Sequence, residues 1–211
     1  MSLALYDTQC HELRSGTMAR WTPDAQGRLT KAAIELFAER GYDATTVTEI
    51  AERAGLTKRT FFRHFADKRE VLFSGVEQLT EVWLAGVAAA PAEAAPLAVV
   101  TAGFEPLAEL FEQRLEFARL RAQIIAANPE LMERELIKLQ GLAGALQRAL
   151  IARGVAVNPA ILAAQAGVTV FHVGFARWVE QDDPAAFRRL LAEALEELRE
   201  VAAPTPRAAT V

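Results

Sequence analysis

Five basic side chains lie in the short stretch between Thr57 and Arg69. They are Lys58, Arg59, Arg63, Lys68 and Arg69, and Asp67 is the one acidic residue among them. The chain as a whole carries a formal net charge of −4. A compact basic cluster on an acidic chain is the electrostatic footprint of a small nucleic-acid-reading surface. On charge alone, an ordinary solvated helix face explains the cluster equally well.

Two short helices joined by a tight turn are predicted to carry this cluster. Thr46 and Glu49 have the spacing of a capping box, which marks the start of the first helix. Gly55 supplies the conformational freedom that the turn needs. Thr57 then caps the second helix, which we expect to run to about His64. This spacing is that of a helix-turn-helix unit.

The side chains of the unit divide into a buried set and an exposed set. The small Ala51 allows the two helices to cross closely, and Ile50, Leu56 and Phe61 are predicted to lock them together. A helix fits the major groove of DNA, where Arg pairs with guanine and apolar groups meet the thymine methyl. The exposed face of the second helix presents Lys58, Arg59, Phe62 and Arg63.

A further helix is predicted on each side of this unit. The first opens at Thr22-Pro23, with proline at the first helical position, and closes at Gly41. Asp67 is expected to cap a fourth helix, with Glu70 as its reciprocal partner. That helix is predicted to run to about Val87 and to join the unit to the rest of the chain.

The remainder of the chain is predicted to be helical throughout. The composition is rich in Ala, Leu, Glu and Arg and poor in strand-forming runs, which indicates an all-α fold of about nine helices. Beyond an Ala- and Pro-rich break at 88–96, helical segments are expected at about 97–115, 117–127, 130–152, 160–180 and 185–202. The predicted divisions are a tail at 1–21, a helix-turn-helix domain at 22–73, a second helical domain at 74–203 and a tail at 204–211.

The last two predicted helices each carry an apolar stripe at helical spacing. Gly167 and Gly174 would permit close helix approach in the first of them. An intrachain core and a contact with a second subunit both explain the stripes. The residues singled out are Phe171, Trp178, Phe187, Leu191, Leu195 and Leu198.

An apolar ligand pocket is expected between helices of the second domain. Each aromatic residue taken alone is more typical of a core than of a binding site. Arg121, in a mostly apolar run, is suited to neutralise an acidic ligand or to face water. The candidate ligand-binding residues are Trp83, Phe104, Phe111, Arg121, Phe171 and Phe175.

The motifs of common enzymes are missing from the sequence. There is no HExxH, CxxC, Gly-rich phosphate loop or GxSxG elbow, and only three histidines occur. We therefore predict no enzyme activity, no metal site and no cofactor. The single cysteine, Cys10, excludes an intramolecular disulfide, and no uninterrupted apolar span is visible, so a cytoplasmic protein without a membrane partner is expected. A helical adaptor or small-molecule-binding protein without DNA regulation remains the alternative, with an enzyme after it.

The run from Thr46 to Phe65, continuing to Lys68, resembles the DNA-binding motif of the TetR family. Ala32-Ala33 and Leu36-Phe37 before Gly41 are similar to that family's first helix. By this resemblance Thr46 and Thr57 correspond to phosphate contacts. The residues that the resemblance places at DNA are Thr46, Thr57, Lys58, Arg59, Thr60, Phe62, Arg63, His64 and Lys68. Phe62 departs from the family, which most often has tyrosine there, so a phosphate hydrogen bond from that position is lost.

The resemblance also implies how the whole chain works. It implies a homodimer that binds a (pseudo)palindromic DNA operator and releases it when a small effector binds the second domain. The last two helices would form a four-helix interface with the partner subunit. The stretch from Arg119 to Trp178 is similar to a branch of the family that senses acyl-CoA-type or related lipophilic effectors.

Overall fold

A computed structural model describes residues 24–203, and within this range the chain consists of helices and connecting loops without a strand. The all-α prediction is therefore confirmed. Ten α-helices and one 3₁₀ helix are present in the described range, because the segment predicted at 97–115 is divided in two. The α-helices are α1 Ala25–Arg40, α2 Val47–Arg53, α3 Lys58–His64, α4 Val76–Ala89, α5 Pro96–Thr101, α6 Phe104–Phe111, α7 Leu115–Ala126, α8 Pro129–Ala152, α9 Val157–Trp178 and α10 Ala186–Ala202.

The first helix begins later than its predicted start at Thr22-Pro23. Asp24 is the N-cap of α1, and its carboxylate accepts a hydrogen bond from the backbone N–H of Gly27 at 2.9 Å. Pro23 lies outside the described residues. At the other end, the backbone N–H of Gly41 donates to the Phe37 carbonyl at 2.9 Å, with Gly41 at a positive φ of 86°, so the predicted closure at Gly41 is confirmed.

The predicted fourth helix is wrong in its first turns, because a 3₁₀ helix at Arg69–Phe73 precedes α4. Asp67 does act as a cap, since its carboxylate accepts from the N–H groups of Arg69 (2.8 Å) and Glu70 (3.1 Å). Glu70 does not complete a capping box, because its side chain is hydrogen-bonded to α8 instead. Ser74 and Gly75, both poor helix formers, separate the 3₁₀ helix from α4.

Two apolar clusters organise the chain. One cluster joins α1, α2, α3 and the 3₁₀ helix, and we call this part of the molecule the reader. The other joins α4, α5, α6, the first half of α7, α8, α9 and α10, and we call it the body. The end of α7 and the start of α8 belong to the reader's cluster through Ile124, Ile125 and Leu131. The reader therefore packs against the end of α7 and the start of α8 through a shared apolar cluster.

Helix α9 lies at the centre of the body and packs against α5, α8 and α10. By length and composition alone this 22-residue helix could cross a membrane, but 44% of its most apolar window is buried inside the chain, as in the core helix of a globular protein. Close packing depends on glycine at two places. A side chain at Gly167 would collide with Val100, and one at Gly174 would lie 2.9 Å from Leu191 Cδ2. The predicted role of these glycines in close approach is confirmed.

Four residues predicted at a dimer interface are instead part of the intrachain core. Trp178, Phe187 and Leu191 have at most 1% of their surface exposed, and Phe171 has 6%. The Trp178 indole N–H donates to the Pro184 carbonyl at 3.0 Å, and its ring centroid lies 4.8 Å from that of Phe187. These side chains offer no surface to a partner, because α9 and α10 turn their most apolar faces toward each other and toward α6. Leu195 and Leu198 are half-buried.

Candidate nucleic-acid interface and ligand cavity

The α2–turn–α3 unit is built as its sequence predicts. Gly55 adopts a positive φ of 65°, and the Leu56 N–H donates to the Ala51 carbonyl at 2.8 Å to close the turn. Ile50 and Phe61 are completely buried between the helices. The contacts fix the angle between α2 and α3, which is what a groove-reading helix needs from its supporting helix.

Both helices carry the predicted caps. The Thr46 hydroxyl accepts from the Glu49 N–H at 3.3 Å, and the Glu49 carboxylate accepts from the Thr46 N–H at 2.8 Å, which completes the capping box. The Thr57 hydroxyl accepts from the Thr60 N–H at 3.1 Å and lies 3.0 Å from the Thr60 hydroxyl. Thr46 and Thr57 are exposed, so each cap lies at the surface.

The outer face of α3 is basic and open to solvent. Lys58, Arg59 and Arg63 are exposed, and within residues 24–203 none of them forms a salt bridge. Neighbouring cations differ: Arg40 pairs with Glu49 at 3.0 Å, and Arg53 pairs with Glu39 at 2.8 Å. The positive charge on α3 is therefore available to phosphate or base edges.

An aromatic ring lies among these cations. The Phe62 side chain is 49% exposed, although it packs edge-on against the buried Phe61 with ring centroids 5.5 Å apart. Exposure of a phenyl ring on a small helix has a hydrophobic cost, which contact with a thymine methyl or a sugar would remove.

Lys68 and His64 lie apart from the open cationic face. The Lys68 ammonium donates to the carbonyls of Tyr42 (2.8 Å) and Thr45 (3.1 Å), and lies 4.0 Å from the centroid of the Tyr42 ring. Its donors thus hold the loop between α1 and α2. His64 is half-buried, and its Nε2 lies 3.4 Å from Arg63 Nη2.

A large cavity of about 920 Å³ lies where the body meets the reader. Its walls come from α6, α7, α8 and α9, and it extends to the start of α1 and of α4. Four phenyl rings give it a mainly apolar surface. These rings belong to Phe111, Phe117, Phe171 and Phe175.

Polar groups are spaced around this apolar wall. Arg114 donates to the Gln78 side chain at 3.2 Å, and Arg121 pairs with Glu135 at 2.8 Å. His172 is exposed and also lines the cavity. Such a lining suits a molecule with an apolar body and a few polar atoms.

Four of the six predicted ligand-binding residues line the cavity, and Trp83 and Phe104 do not. Trp83 is completely buried, its indole N–H donates to the Val100 carbonyl at 2.9 Å, and its ring packs against Phe104 at 5.6 Å. Aromatic residues at helical spacing serve cores and cavities alike, so the sequence pattern does not separate these two residues from the four that line the cavity.

Phe117, His172 and Arg114 are among the cavity residues that the ligand-binding prediction did not include. Phe117 lies one helical turn before Arg121, and His172 lies nearly one turn before Phe175, so helical spacing from a predicted residue would have found both. Arg114 precedes the first turn of α7 and carries no comparable signal.

One carboxylate joins the 3₁₀ helix to α8. Glu70 accepts from Arg134 Nε at 2.7 Å and from Lys138 Nζ at 2.9 Å. Burial by itself would raise the pKa of Glu70, but the hydrogen bonds and charges of Lys138 and Arg134 outweigh it and leave the pKa below its ordinary value. Among residues 24–203, no group of three or more His, Cys, Asp or Glu is placed to hold a metal ion.

Comparison with protein families places the reader in one of them. Residues 29–74 match the family model described as bacterial regulatory proteins of the tetR family. The matched segment runs from the first turns of α1 to the end of the 3₁₀ helix, so it contains the whole α2–turn–α3 unit.

Relatives align beyond this segment. The HTH-type transcriptional regulator TcmR of Streptomyces glaucescens is 33% identical over 134 residues, which are 60% of this chain and 58% of TcmR. The HTH-type transcriptional regulator RutR of Escherichia coli K12 is 27% identical over 120 residues, 56% of this chain and 57% of RutR. The chain thus spans a little over half the length of these relatives.

Solved structures share the fold over most of the chain. Thermus thermophilus FadR, a TetR-family transcriptional repressor in complex with lauroyl-CoA, is 22% identical, with a TM-score of 0.53 over 88% of this chain and 99% of FadR. SmeT in complex with triclosan is 21% identical, with a TM-score of 0.54 over 84% of this chain and 90% of SmeT.

Proposed function

Because this chain belongs to the TetR family of bacterial regulatory proteins, we propose that it is a transcriptional repressor that binds a (pseudo)palindromic DNA operator as a homodimer and releases it when a small lipophilic effector binds. The matched proteins are regulators of transcription and not enzymes, as the missing catalytic motifs predicted. A regulator of this kind acts where the chromosome is, so we place it in the cytoplasm.

The observation that carries the proposal is the outer face of α3. Lys58, Arg59 and Arg63 are exposed without a salt bridge in the described range, and they surround the exposed ring of Phe62. Lys and Arg contacts to phosphate supply much of DNA affinity and make it depend on salt. Arg59, Lys58 and Phe62 would discriminate between bases, at about 1–3 kcal/mol for a well-placed bidentate pair.

The remaining contacts hold α3 in place or lie at its edge. Thr46, Thr57 and Thr60 lie at the exposed starts of α2 and α3, where their hydroxyls would meet phosphates. His64 would touch the backbone at the end of α3. Lys68 acts as a positioning residue, since its ammonium holds the α1–α2 loop.

A second copy of the chain is the proposed partner, because a two-fold operator requires a two-fold protein. Burial of Trp178, Phe187 and Leu191 moves the interface to the outer sides of α9 and α10. Leu195 and Leu198 of α10 are half-buried. Covering such residues would remove apolar surface from water.

The effector is proposed to be lipophilic because the cavity surface is mainly aromatic. Two proteins of similar fold have been solved in complex with lauroyl-CoA and with triclosan. Triclosan is largely apolar, and lauroyl-CoA carries an apolar acyl chain on a polar, charged nucleotide. Phe111, Phe171 and Phe175 would enclose the apolar part of such a molecule. Its polar atoms would meet Arg114 or His172.

Fluorescence anisotropy tests the proposal. The purified protein would be titrated into labelled DNA flanking its own gene and into a scrambled control, over a series of salt concentrations. We expect tight binding to the native DNA alone, two protomers per site and a steep loss of affinity with salt. Equal and weak binding to both DNAs would favour the alternative, a helical small-molecule-binding protein without DNA regulation.

A further inference from the structure

The 3₁₀ helix is held against the body by a network of charged side chains. Glu70 receives hydrogen bonds from Arg134 and Lys138, which lie four residues apart and therefore on one side of α8. The Glu70 side chain is only 19% exposed. At this exposure an ion pair is screened by salt less than a surface pair is.

Arg121 of α7 forms the second half of the network. Its Nε donates to the Leu72 carbonyl of the 3₁₀ helix at 2.8 Å, and its Nη1 lies 2.8 Å from a carboxylate oxygen of Glu135. The guanidinium also lies 5.3 Å from the centroid of the Phe73 ring. The Arg121 side chain is 17% exposed, so its three contacts fix it against the 3₁₀ helix.

Three of these five side chains face the cavity. Arg121, Glu135 and Lys138 line it, together with Leu72. Leu72 also belongs to the apolar cluster of the reader. A molecule in the cavity would therefore touch the groups that hold the reader, without touching α3.

On the basis of the proposed function, we propose that Glu70, Arg121, Arg134, Glu135 and Lys138 form a coupling network through which the cavity's occupant alters the position of the reader. An occupant that contacts Arg121 or Lys138 changes how strongly these cations hold Leu72 and Glu70. The 3₁₀ helix then shifts relative to α8, and the spacing of the two α3 helices in a dimer shifts with it. Such an occupant shifts the 3₁₀ helix only if it binds more tightly to the shifted arrangement of the 3₁₀ helix and α8 than to the unshifted one.

Reciprocity of coupled binding gives a test that does not require the natural effector. If the cavity and α3 are coupled, DNA must change the affinity of a cavity ligand by the factor by which that ligand changes DNA affinity. Anilinonaphthalene sulfonate is a suitable probe, since it fluoresces when bound to apolar surface. Its Kd would be measured for the full chain alone and for the chain saturated with operator DNA.

The key variant is Glu70→Gln, and Glu105→Gln is its matched control. Glu70 is not among the cavity-lining residues, so probe affinity for the free protein should stay near that of the wild type. Glu105 pairs with Arg188 at an exposed site between α6 and α10, away from the cavity and the reader. Both variants remove one carboxylate charge from an ion pair.

We expect DNA to change the Kd of the probe at least about fivefold in the wild type and in Glu105→Gln. In Glu70→Gln the change should fall to less than twofold. An unchanged ratio in Glu70→Gln would overturn the inference, and a lower melting temperature with an unchanged ratio would show a merely structural role. If Glu70→Gln does not fold, Arg134→Met removes the same contact from the α8 side, again outside the cavity lining.

The two proposals fail in distinguishable ways. Absence of specific DNA binding by the wild type would overturn the proposed function. The wild type could instead bind DNA specifically while it either fails to bind the probe or binds it with the same Kd with and without DNA. Either result would overturn the coupling network alone.

Discussion

The outer face of α3 and the cavity at the body–reader junction differ in how they are built. All groups of the α3 face come from one helix of seven residues, which its neighbours orient through Ile50 and Phe61. The cavity takes its walls from α6, α7, α8 and α9 and reaches the starts of α1 and α4, so its lining residues extend from Asp24 to Glu180. The α3 face thus depends on local geometry, whereas the cavity depends on how the whole body packs.

The largest expected effect is the difference in stability between alanine variants of two neighbouring residues of α3. Phe61→Ala removes a completely buried ring and should lower the free energy of unfolding by about 3–5 kcal/mol. Phe62→Ala removes a ring that is 49% exposed and should leave stability nearly unchanged while weakening operator binding. Thermal melts and anisotropy on both variants check this, and equal destabilisation would contradict the assignment of Phe62 to the reading face.

The next effect concerns the cations of α3. Arg59→Ala should weaken binding to the preferred operator by about 1–3 kcal/mol and relax specificity at one base position. Arg148→Ala is the matched control, because Arg148 is also exposed and lies on α8. Anisotropy against single-base operator variants makes the measurement; an equal loss on all sequences would make Arg59 a phosphate contact.

A smaller effect is expected at the cavity. Phe175→Ala should weaken binding of anilinonaphthalene sulfonate by about 1 kcal/mol, because one ring of the wall is lost. Phe104→Leu alters the core behind the wall and should leave probe affinity within twofold of the wild type. Fluorescence titration distinguishes the two, and a reversed order would return Phe104 to the binding site.

The smallest effect is the pH dependence carried by Glu70. Because its pKa is lowered in the folded chain, its ion pairs stabilise the protein above the ordinary Glu range, and this contribution is lost as pH falls through the folded pKa. The stability difference between the wild type and Glu70→Gln should therefore be present near neutral pH, at roughly 1 kcal/mol. It should disappear in acid. Denaturant unfolding at several pH values tests this, and a difference independent of pH would contradict the ionic role.

Sequence predicted most where the determinants are local. The capping box at Thr46, the turn at Gly55 and the buried Phe61 each depend on residues a few positions apart, and all three are confirmed. The exposed face of α3 follows from them by helical spacing alone.

The sequence predicted contacts less well where segments distant in the chain pack together. Trp83 and Phe111 carry the same helical signal, yet Trp83 is sealed in the core beside Gly103 while Phe111 reaches the cavity. Glu70 has the spacing of a capping-box partner, but its carboxylate accepts hydrogen bonds from Arg134 and Lys138 of α8 instead. The apolar stripe of α10 is equally suited to a partner subunit and to α9, and packing within the chain takes Phe187 and Leu191.

The central claim is that α3 reads DNA as one of a two-fold pair, and selection of bound duplexes from a random-sequence DNA library tests it most directly. We expect the full chain to enrich one site with two inverted half-sites, their centres separated by about one or more helical turns of about 10 base pairs. The variant Lys58→Ala/Arg59→Ala should enrich no such site. Recovery of unrelated sequences by the wild type, or of the same site by the variant, would contradict the account.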